Sequence, residues 1–360
     1  MKKGFKSFIS LILILVMVVS MTACTGKPAN TDEGTNTNDS NASDATNTDV
    51  SDGSNNSNNE SKNEYPEFVL NETDTTVTYL NTFGDEMTVT KNPKKVAVLL
   101  NSILDVWYLA GGEAIAKVDG TTNVPDAAMD IANLGSFNKV NLESLLALEP
   151  DLVIMTATTG TQVDMIDTLK DNGIESAIID ANKNPYESFK MTLYLFSKIL
   201  GTEDAYSEVV KNVTEKCDEI LEKTNAVENQ PTVAIIFSST KSVSCESPIS
   251  LTGDMVKHLG AKNILDDVNF GDKTKVDFSM ERLIEKDPEY ILVTVMGDVD
   301  QCKKRFEDEV VANDAWGSLT AVKEGRVHYL PKELFTYKPN GRYMEAFYEL
   351  GKILYPEVIK

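Results

Sequence analysis

Residues 140–154 read VNLESLLALEPDLVI, and residues 278–292 read FSMERLIEKDPEYIL. The two stretches match position by position, with Glu143 opposite Glu281 and Pro150 opposite Pro288. An internal repeat whose copies lie this far apart indicates two related structural units. The sequence therefore predicts two lobes of the same kind, each containing one copy.

Short apolar runs give the fold class of both lobes. β-branched residues alternate at 75–81 and 86–90 on either side of Gly84-Asp85, which is typical of a β-hairpin. Continuous apolar runs, typical of strands buried on both faces of a parallel sheet, lie at 96–100, 114–118, 152–155, 177–179, 233–237, 290–295 and 327–330. Helical patterns lie between most of them, so the sequence predicts an α/β fold with two doubly wound lobes.

One long helix is predicted to join the lobes. Gly201 can end the preceding helix and Thr202 can cap the next, and residues 203–225 carry apolar side chains at helical spacing. Such a helix is roughly 33 Å long at 1.5 Å per residue, enough to bridge two lobes and limit their closure. The predicted organisation is an N-terminal lobe (65–201), a bridging helix (202–226) and a C-terminal lobe (227–360).

The first 64 residues predict a lipid-anchored, exported protein. Three lysines precede an apolar stretch at 8–19, which is signal-peptide length and too short to span a bilayer. The segment ends Ser-Met-Thr-Ala-Cys, so 1–23 is predicted to be a lipoprotein signal peptide and Cys24 the lipidated residue, held by two acyl chains. Ordinary secretory cleavage before a cysteine is the alternative. Residues 24–64 are rich in Asn, Ser, Thr and Asp, and predict a disordered tether.

Composition narrows the range of partners. The formal net charge is −22, which argues against nucleic acid and against extended contact with anionic lipid. Beyond Cys24 there are Cys217, Cys245 and Cys302, without a CxxC or zinc spacing. We expect Cys217 to be a buried thiol on a helix stripe, and a Cys245–Cys302 disulfide stays open.

Taken together, the lipobox, the segment GDEMTVTKNPKKV at 84–96, the paired repeat and the joining helix resemble the class III substrate-binding proteins. That family serves ABC importers of ferric siderophores, haem and vitamin B12. The resemblance covers about residue 75 to Pro356. It implies two lobes, a ligand cleft between them, and docking onto a membrane permease driven by a separate ATPase. The chain has neither a GxxxxGK[ST] nor a GxGxxG motif, so ATP use is assigned to a partner.

Polar residues at the carboxyl ends of the strands are the first ligand-binding candidates, because doubly wound folds bind ligands there. Ser and Thr are also ordinary loop residues, which is the competing interpretation. The candidates are Asn101, Ser102, Thr121, Thr122, Thr156, Thr158, Ser238, Ser239 and Met296.

The segment LFTYKPNGRY at 334–343 supplies the remaining ligand-binding candidates. It places two cations and three aromatic residues together in an otherwise acidic chain. Tyr337, Lys338 and Arg342 suit an anionic ferric chelate, and a solvated loop is the alternative. Trp107 and Tyr108 are expected in the core instead.

Glu143 and Glu281 are predicted to dock the protein onto its permease. In the resembling family, a glutamate at this place on each lobe meets permease arginines, and such charge pairs act on encounter and orientation. The competing interpretation is structural: Asn141 and Ser279 can cap the two helices, and an acid in the first turn stabilises each helix by about 0.3–1 kcal/mol.

The sequence predicts binding without catalysis. His258 and His328 are far apart, so a zinc cage and any other direct metal site are not expected. No GxSxG nucleophile motif occurs, and an enzyme is not expected. No cofactor is expected, and the ligand is expected to be a ferric chelate.

The resulting prediction is a monomeric lipoprotein on the extracytoplasmic face of the membrane, which captures an iron–siderophore complex for a permease and its ATPase. The alternatives are a haem receptor, with Met296 or Tyr337 as axial ligand, a cobalamin receptor of the same importer class, or a ligand sensor that does not transport.

Overall fold

The computed structural model describes residues 63–180 and 182–360. The predicted signal peptide, Cys24 and the predicted tether up to residue 62 lie outside the described residues. None of the described helices is both long enough and apolar enough to cross a membrane.

A small antiparallel sheet opens the described chain. Its strands are β1 (Val69–Glu72), β2 (Thr76–Leu80) and β3 (Glu86–Thr90). The predicted hairpin is confirmed as β2 and β3, which pair in register around the Gly84 turn. The buried Tyr79 fixes this sheet to the lobe, since its hydroxyl donates to the carbonyl O of Ile178 at 3.1 Å and accepts from the N–H of Ile178 at 2.8 Å.

The N-terminal lobe contains a five-stranded parallel sheet with the order β6-β5-β4-β7-β8. Its strands are β4 (Val96–Val98), β5 (Ala116–Lys117), β6 (Ala132–Asn133), β7 (Leu152–Thr156) and β8 (Glu175–Ile179). The helices are α1 (Asn101–Leu109), α2 (Leu142–Ala147), α3 (Gly160–Val163), α4 (Ile166–Asp171) and α5 (Pro185–Leu200). The strand order reverses between β4 and β7, which makes their carboxyl ends the expected place for a ligand.

The predicted joining helix is present, with one irregularity. It consists of α6 (Glu203–Val209), a π-helical turn (Val210–Thr214) and α7 (Glu215–Asn225). The residues at both junctions keep right-handed helical backbone angles, so the helix is not broken there. Val213, Cys217 and Ile220 are buried on its apolar side.

The C-terminal lobe contains a mixed sheet. Its strands are β9 (Thr232–Ser239), β10 (Val243–Glu246), β11 (Lys262–Asn263), β12 (Lys275–Asp277), β13 (Tyr290–Met296) and β14 (Val327–Tyr329). The helices are α8 (Leu251–His258), α9 (Met280–Lys286), α10 (Val299–Phe306), α11 (Thr320–Lys323), α12 (Lys332–Phe335) and α13 (Tyr343–Leu354). Strands β9, β11, β13 and β14 are parallel, as in the first lobe, whereas β10 pairs antiparallel with both of its neighbours, β9 and β12.

The antiparallel strand β10 arises from a tight turn that the sequence analysis did not predict. Ser239 N–H donates to the carbonyl O of Ser242 at 3.0 Å, and this reverses the chain directly after β9. The two-lobed α/β fold is confirmed, and the second lobe adds this hairpin to it. The predicted lobe boundaries stay a prediction, since the described residues form one compact unit.

Buried side chains form a core in each lobe and a third between them. The central cluster includes Trp107 and Cys217, and helix α13 packs on α7 there. Trp107 is fully buried and donates from Nε1 to the carbonyl O of Glu113 at 2.9 Å, so its predicted core role is confirmed. Cys217, Cys245 and Cys302 are all buried free thiols, and the Cys245–Cys302 disulfide is not formed.

Candidate functional site

Two neighbouring cavities lie where the lobes meet. The first, of about 370 Å³, is lined by residues that follow β4, β5 and β7 and by the segment 336–338. It gathers seven of the predicted ligand-binding residues: Asn101, Ser102, Thr122, Thr156, Thr158, Tyr337 and Lys338. The carboxyl ends of the N-terminal strands therefore do form one wall of a cleft, as expected for a doubly wound sheet.

The second cavity, of about 240 Å³, lies against the C-terminal lobe. Phe237, Glu246, Lys275 and the predicted Met296 line it. Asn182, Thr336 and Lys338 line both cavities and form the wall between them. We call the two cavities together the interlobe cleft.

The N-terminal wall of the cleft presents hydroxyl and amide groups. Asn101 donates from Nδ2 to the carbonyl O of Asp119 at 2.9 Å, while its buried Oδ1 has no hydrogen-bond partner among the described residues. The Thr156 and Thr158 hydroxyl oxygens lie 2.9 Å apart. This wall can therefore donate hydrogen bonds to a polar ligand and accept them from it.

Lys338 is the cation at the centre of the cleft. It is half-buried, and its Nζ donates to Asn182 Oδ1 at 2.6 Å. Burial lowers the pKa of the ammonium to about 8, and the nearby Asp180 carboxylate opposes part of that shift. Lys338 is thus a cation at neutral pH that has lost much of its hydration, which strengthens its attraction for an anion.

Two asparagines anchor the segment that carries Tyr337 and Lys338. Asn340 Nδ2 donates to the carbonyl O of Ser102 at 2.8 Å and to Asp105 Oδ2 at 2.9 Å. Asn123 Nδ2 donates to the carbonyl O of Glu333 at 2.9 Å and of Lys338 at 3.0 Å. These bonds fix the segment against the N-terminal lobe.

Both anchors occupy the left-handed backbone region, which asparagine tolerates better than most residues do. The φ angles are 54° at Asn123 and 45° at Asn340. Burial raises the pKa of Asp105 to about 6, against the hydrogen bond from Asn340 and the charge of Arg342, which both lower it.

On the opposite wall, a buried carboxyl group faces a cation. Glu246 Oε1 accepts from Thr294 Oγ1 at 2.7 Å, and burial raises the pKa of Glu246 while Lys275 lowers it. Lys275 Nζ lies 4.2 Å from the Phe237 ring centroid, which is cation–π distance.

Four predicted ligand-binding residues do not line the cleft. Thr121 is exposed beside it. Ser238 is buried and donates to the carbonyl O of Cys302 at 2.8 Å, and Ser239 bonds Ser242 within the tight turn, because β9 continues into a hairpin rather than ending at the cleft. Arg342 forms a bidentate ion pair with Glu345, in which Nε donates to Oε2 at 2.7 Å and Nη2 donates to Oε1 at 2.8 Å.

Sequence reasoning also missed residues that do line the cleft. Phe137 is 40% exposed and lines the first cavity. Asn182 and Glu246 were missed as well. Their surroundings depend on contacts between distant segments, and the one local signal was that Phe137 follows the Gly135 turn after β6.

The two repeat glutamates lie on exposed first turns, one on each lobe. Asn141 Oδ1 accepts from the Ser144 N–H at 3.0 Å, and Ser279 Oγ accepts from the Arg282 N–H at 3.2 Å, so both helices are capped as expected. Glu143 and Glu281 are exposed, and neither carboxylate forms an ion pair within the described part of the chain. They are free to meet a partner, whereas capping is done by the neighbouring side chains.

Neither histidine belongs to the cleft. His258 Nε2 lies 3.7 Å from Asp254 Oδ1 on α8, and His328 stacks on Tyr290, where burial lowers its pKa. Within residues 63–180 and 182–360, no group of three or more His, Cys, Asp or Glu side chains could hold a metal ion.

A further cavity of about 340 Å³ lies beside α5, and Phe68 and Met191 are among the residues that line it. None of the predicted site residues lines this cavity.

The chain is similar in sequence to a known protein family and to individual members of it. A family profile described as periplasmic binding protein matches residues 96–334. A Bacillus subtilis (strain 168) protein, "Uncharacterized ABC transporter substrate-binding lipoprotein YvrC", is 25% identical over 289 residues, covering 79% of this chain and 87% of that protein.

Two crystal structures are also similar. Petrobactin-binding protein YclQ from B. subtilis has a TM-score of 0.63 at 20% identity, covering 79% of this chain and 99% of that chain. Staphylococcus aureus IsdE complexed with heme has a TM-score of 0.62 at 20% identity, covering 72% and 98%. At these identities the structures show a shared fold.

Proposed function

This chain belongs to the periplasmic binding protein family, and from that membership we propose that it is the substrate-binding component of an ABC importer, which captures an anionic ferric siderophore. The observation that carries the proposal is the interlobe cleft, where the Lys338 ammonium lies among hydroxyl, amide and aromatic side chains.

The chemistry of the cleft suits a chelate of catecholate or carboxylate groups. Such a ligand is anionic and carries hydrogen-bonding oxygens at its periphery. Lys338 supplies a partly dehydrated cation, Thr156 and Thr158 supply hydroxyl groups, and Tyr337 and Phe137 supply aromatic faces. A mostly preformed cavity with few convergent polar groups is typical of small-molecule sites.

Haem is the second candidate, favoured by the exposed thioether of Met296. This side chain and the Tyr337 phenol line the cleft and are both possible axial ligands of haem iron. One structural neighbour, IsdE, is complexed with heme, and another, YclQ, is named as petrobactin-binding. The two ligand classes are both represented on this fold.

Delivery of the ligand is proposed to involve Glu143 and Glu281. One unpaired carboxylate on each lobe can meet two cationic sites on a permease, which would fix the protein over the pore. A separate ATPase would drive transport. We further propose that the protein acts as a monomer, anchored at the extracytoplasmic face of the membrane through Cys24, and that it binds its ligand without chemical change.

A fluorescence-quench titration of the purified chain tests the proposed function. The titrants are a ferric catecholate, a ferric hydroxamate, haem and cyanocobalamin, each corrected for its own absorbance. Saturable quenching by the ferric catecholate at micromolar concentration or below is expected. Tighter binding of haem would make the protein a haem receptor, and no saturable binding of any of the four would contradict the assignment to iron-chelate or tetrapyrrole import.

A further inference from the structure

The wall that divides the interlobe cleft has one fixed part and one part held by a single bond. Thr336 is fixed, because its Oγ1 donates to the carbonyl O of Val295 at 3.0 Å. The other part is the side-chain contact between Lys338 Nζ and Asn182 Oδ1 at 2.6 Å. Breaking this one hydrogen bond would open the wall between the cavities of about 370 and 240 Å³.

Asn182 is the partner that can leave. Its side chain is exposed, and its other side-chain bond, from Nδ2 to Thr158 Oγ1, is long at 3.3 Å. Its backbone N–H is held by Asp180 Oδ1 at 2.9 Å, so the side chain can rotate without moving the chain. The backbone of Lys338, by contrast, is fixed through its carbonyl O by Asn123.

The hydrogen-bond acceptor of Lys338 carries no net charge. Among the described residues the Lys338 ammonium forms no ion pair, and the acceptor at 2.6 Å is a neutral amide oxygen. An anionic oxygen adds the attraction between opposite charges to the hydrogen bond, and this attraction is stronger where the ammonium is partly shielded from water. An anionic oxygen would therefore displace the amide, whereas a neutral ligand oxygen would have no such advantage.

We infer that Asn182 occupies the anion subsite of Lys338, and that an anionic oxygen of the ligand replaces it and joins the two cavities. This inference rests on the proposed function and narrows it, because it selects anionic ferric chelates over neutral ones. The cavity of about 370 Å³ lies near the lower end of the range of about 300–1,000 Å³ usual for ligand pockets, and the cavity of about 240 Å³ lies below that range. The joined cleft lies well within that range.

Three substitutions in the full chain test the inference with an anionic probe, the iron(III) tris-catecholate complex, and a neutral one, iron(III) tris-acetohydroxamate. Asn182→Ala removes the competing amide, so the ratio of anionic to neutral affinity should rise about tenfold. Asn182→Asp has nearly the same shape but pairs with Lys338, so this ratio should fall about tenfold. In the Lys338→Met background, Asn182→Ala should give no gain.

A ligand-free measurement keeps the inference independent of the proposed function. The rate of Lys338 acetylation by acetic anhydride at pH 8, followed by mass spectrometry, should rise severalfold in Asn182→Ala and fall in Asn182→Asp. Asn172→Ala, which changes an exposed asparagine directly after α4, is the matched control, and its Lys338 acetylation rate should equal that of the unmodified chain.

Equal Lys338 acetylation rates in the unmodified chain, Asn182→Ala and Asn182→Asp would overturn the inference. So would a rise in the ratio of anionic to neutral affinity that Asn182→Ala still produces in the Lys338→Met background. If the unmodified chain binds neither iron probe, the proposed ligand class fails, and the acetylation rates still decide whether Asn182 holds Lys338.

Discussion

Replacing Asn340 by glycine should destabilise the protein by an amount that increases with pH. Asn340 donates one hydrogen bond to the Ser102 carbonyl and one to the Asp105 carboxylate. A neutral bond contributes about 1 kcal/mol and a bond to a charged group about 1.5–3 kcal/mol. Glycine keeps the left-handed backbone without strain. We therefore expect a loss of about 2–4 kcal/mol at pH 8, where Asp105 is ionised, and about 1–2 kcal/mol at pH 5.

The sign of the pH dependence follows from the pKa of Asp105. Burial raises it from 3.8 to about 6, so the contribution of this carboxyl to stability is full below the lower value and is lost as pH rises through about 6. The hydrogen bond from Asn340 limits that loss. Without it the pKa rises further, and the variant falls further behind the unmodified chain as pH increases.

Urea unfolding at pH 5 and pH 8, followed by tryptophan emission, measures the two free energies of unfolding. Trp107 lies on the same helix as Asp105 and reports on this region. Asn123→Gly is the matched control: Asn123 also has a left-handed backbone and donates two bonds, but both acceptors are backbone carbonyls. The loss of unfolding free energy in Asn123→Gly should not change with pH. An equal loss at both pH values in Asn340→Gly would refute the reasoning.

Three further predictions concern transport, pH and anchoring. Glu143→Ala combined with Glu281→Ala should abolish uptake and leave ligand affinity intact, and weakened affinity in the purified double variant would remove the docking assignment. Affinity for an anionic ferric chelate should be constant near pH 7 and fall as pH rises through about 8, where Lys338 loses its proton, whereas Lys338→Met should show no such fall. Cys24→Ala should move the protein from the membrane fraction to the medium on cell fractionation, and retention in the membrane would contradict lipid anchoring.

The repeated helices and strands could be predicted because their signals are local. The caps Asn141 and Ser279, the apolar runs and the hairpin at Gly84 each depend on residues close in sequence, and the structure confirms them. The π-helical turn at Val210–Thr214 was not predicted, since it leaves the apolar spacing of the helix unchanged.

The sequence predicted most residues of the N-terminal wall of the candidate site, but only Met296, Tyr337 and Lys338 on the other lobe. In the N-terminal lobe the strands end at the cleft, so the residues that the strand-end rule selects, such as Asn101 and Thr156, line the first cavity. In the other lobe the turn after β9 turns Ser238 into the core, and the corresponding cleft residue is Glu246 on the returning strand. Contacts such as Lys338 with Asn182 join residues far apart in the chain, and no local pattern encodes them.

The central claim is that a ferric chelate binds in the interlobe cleft, and the position of the iron tests it most directly. Crystals of the complex with the ferric catecholate, measured at the iron absorption edge, would show the iron as an anomalous peak. We predict one peak inside the cleft, with a ligand oxygen at Lys338 Nζ in place of Asn182. A peak in the cavity beside α5, lined by Phe68 and Met191, or binding without iron in the cleft, would contradict the claim.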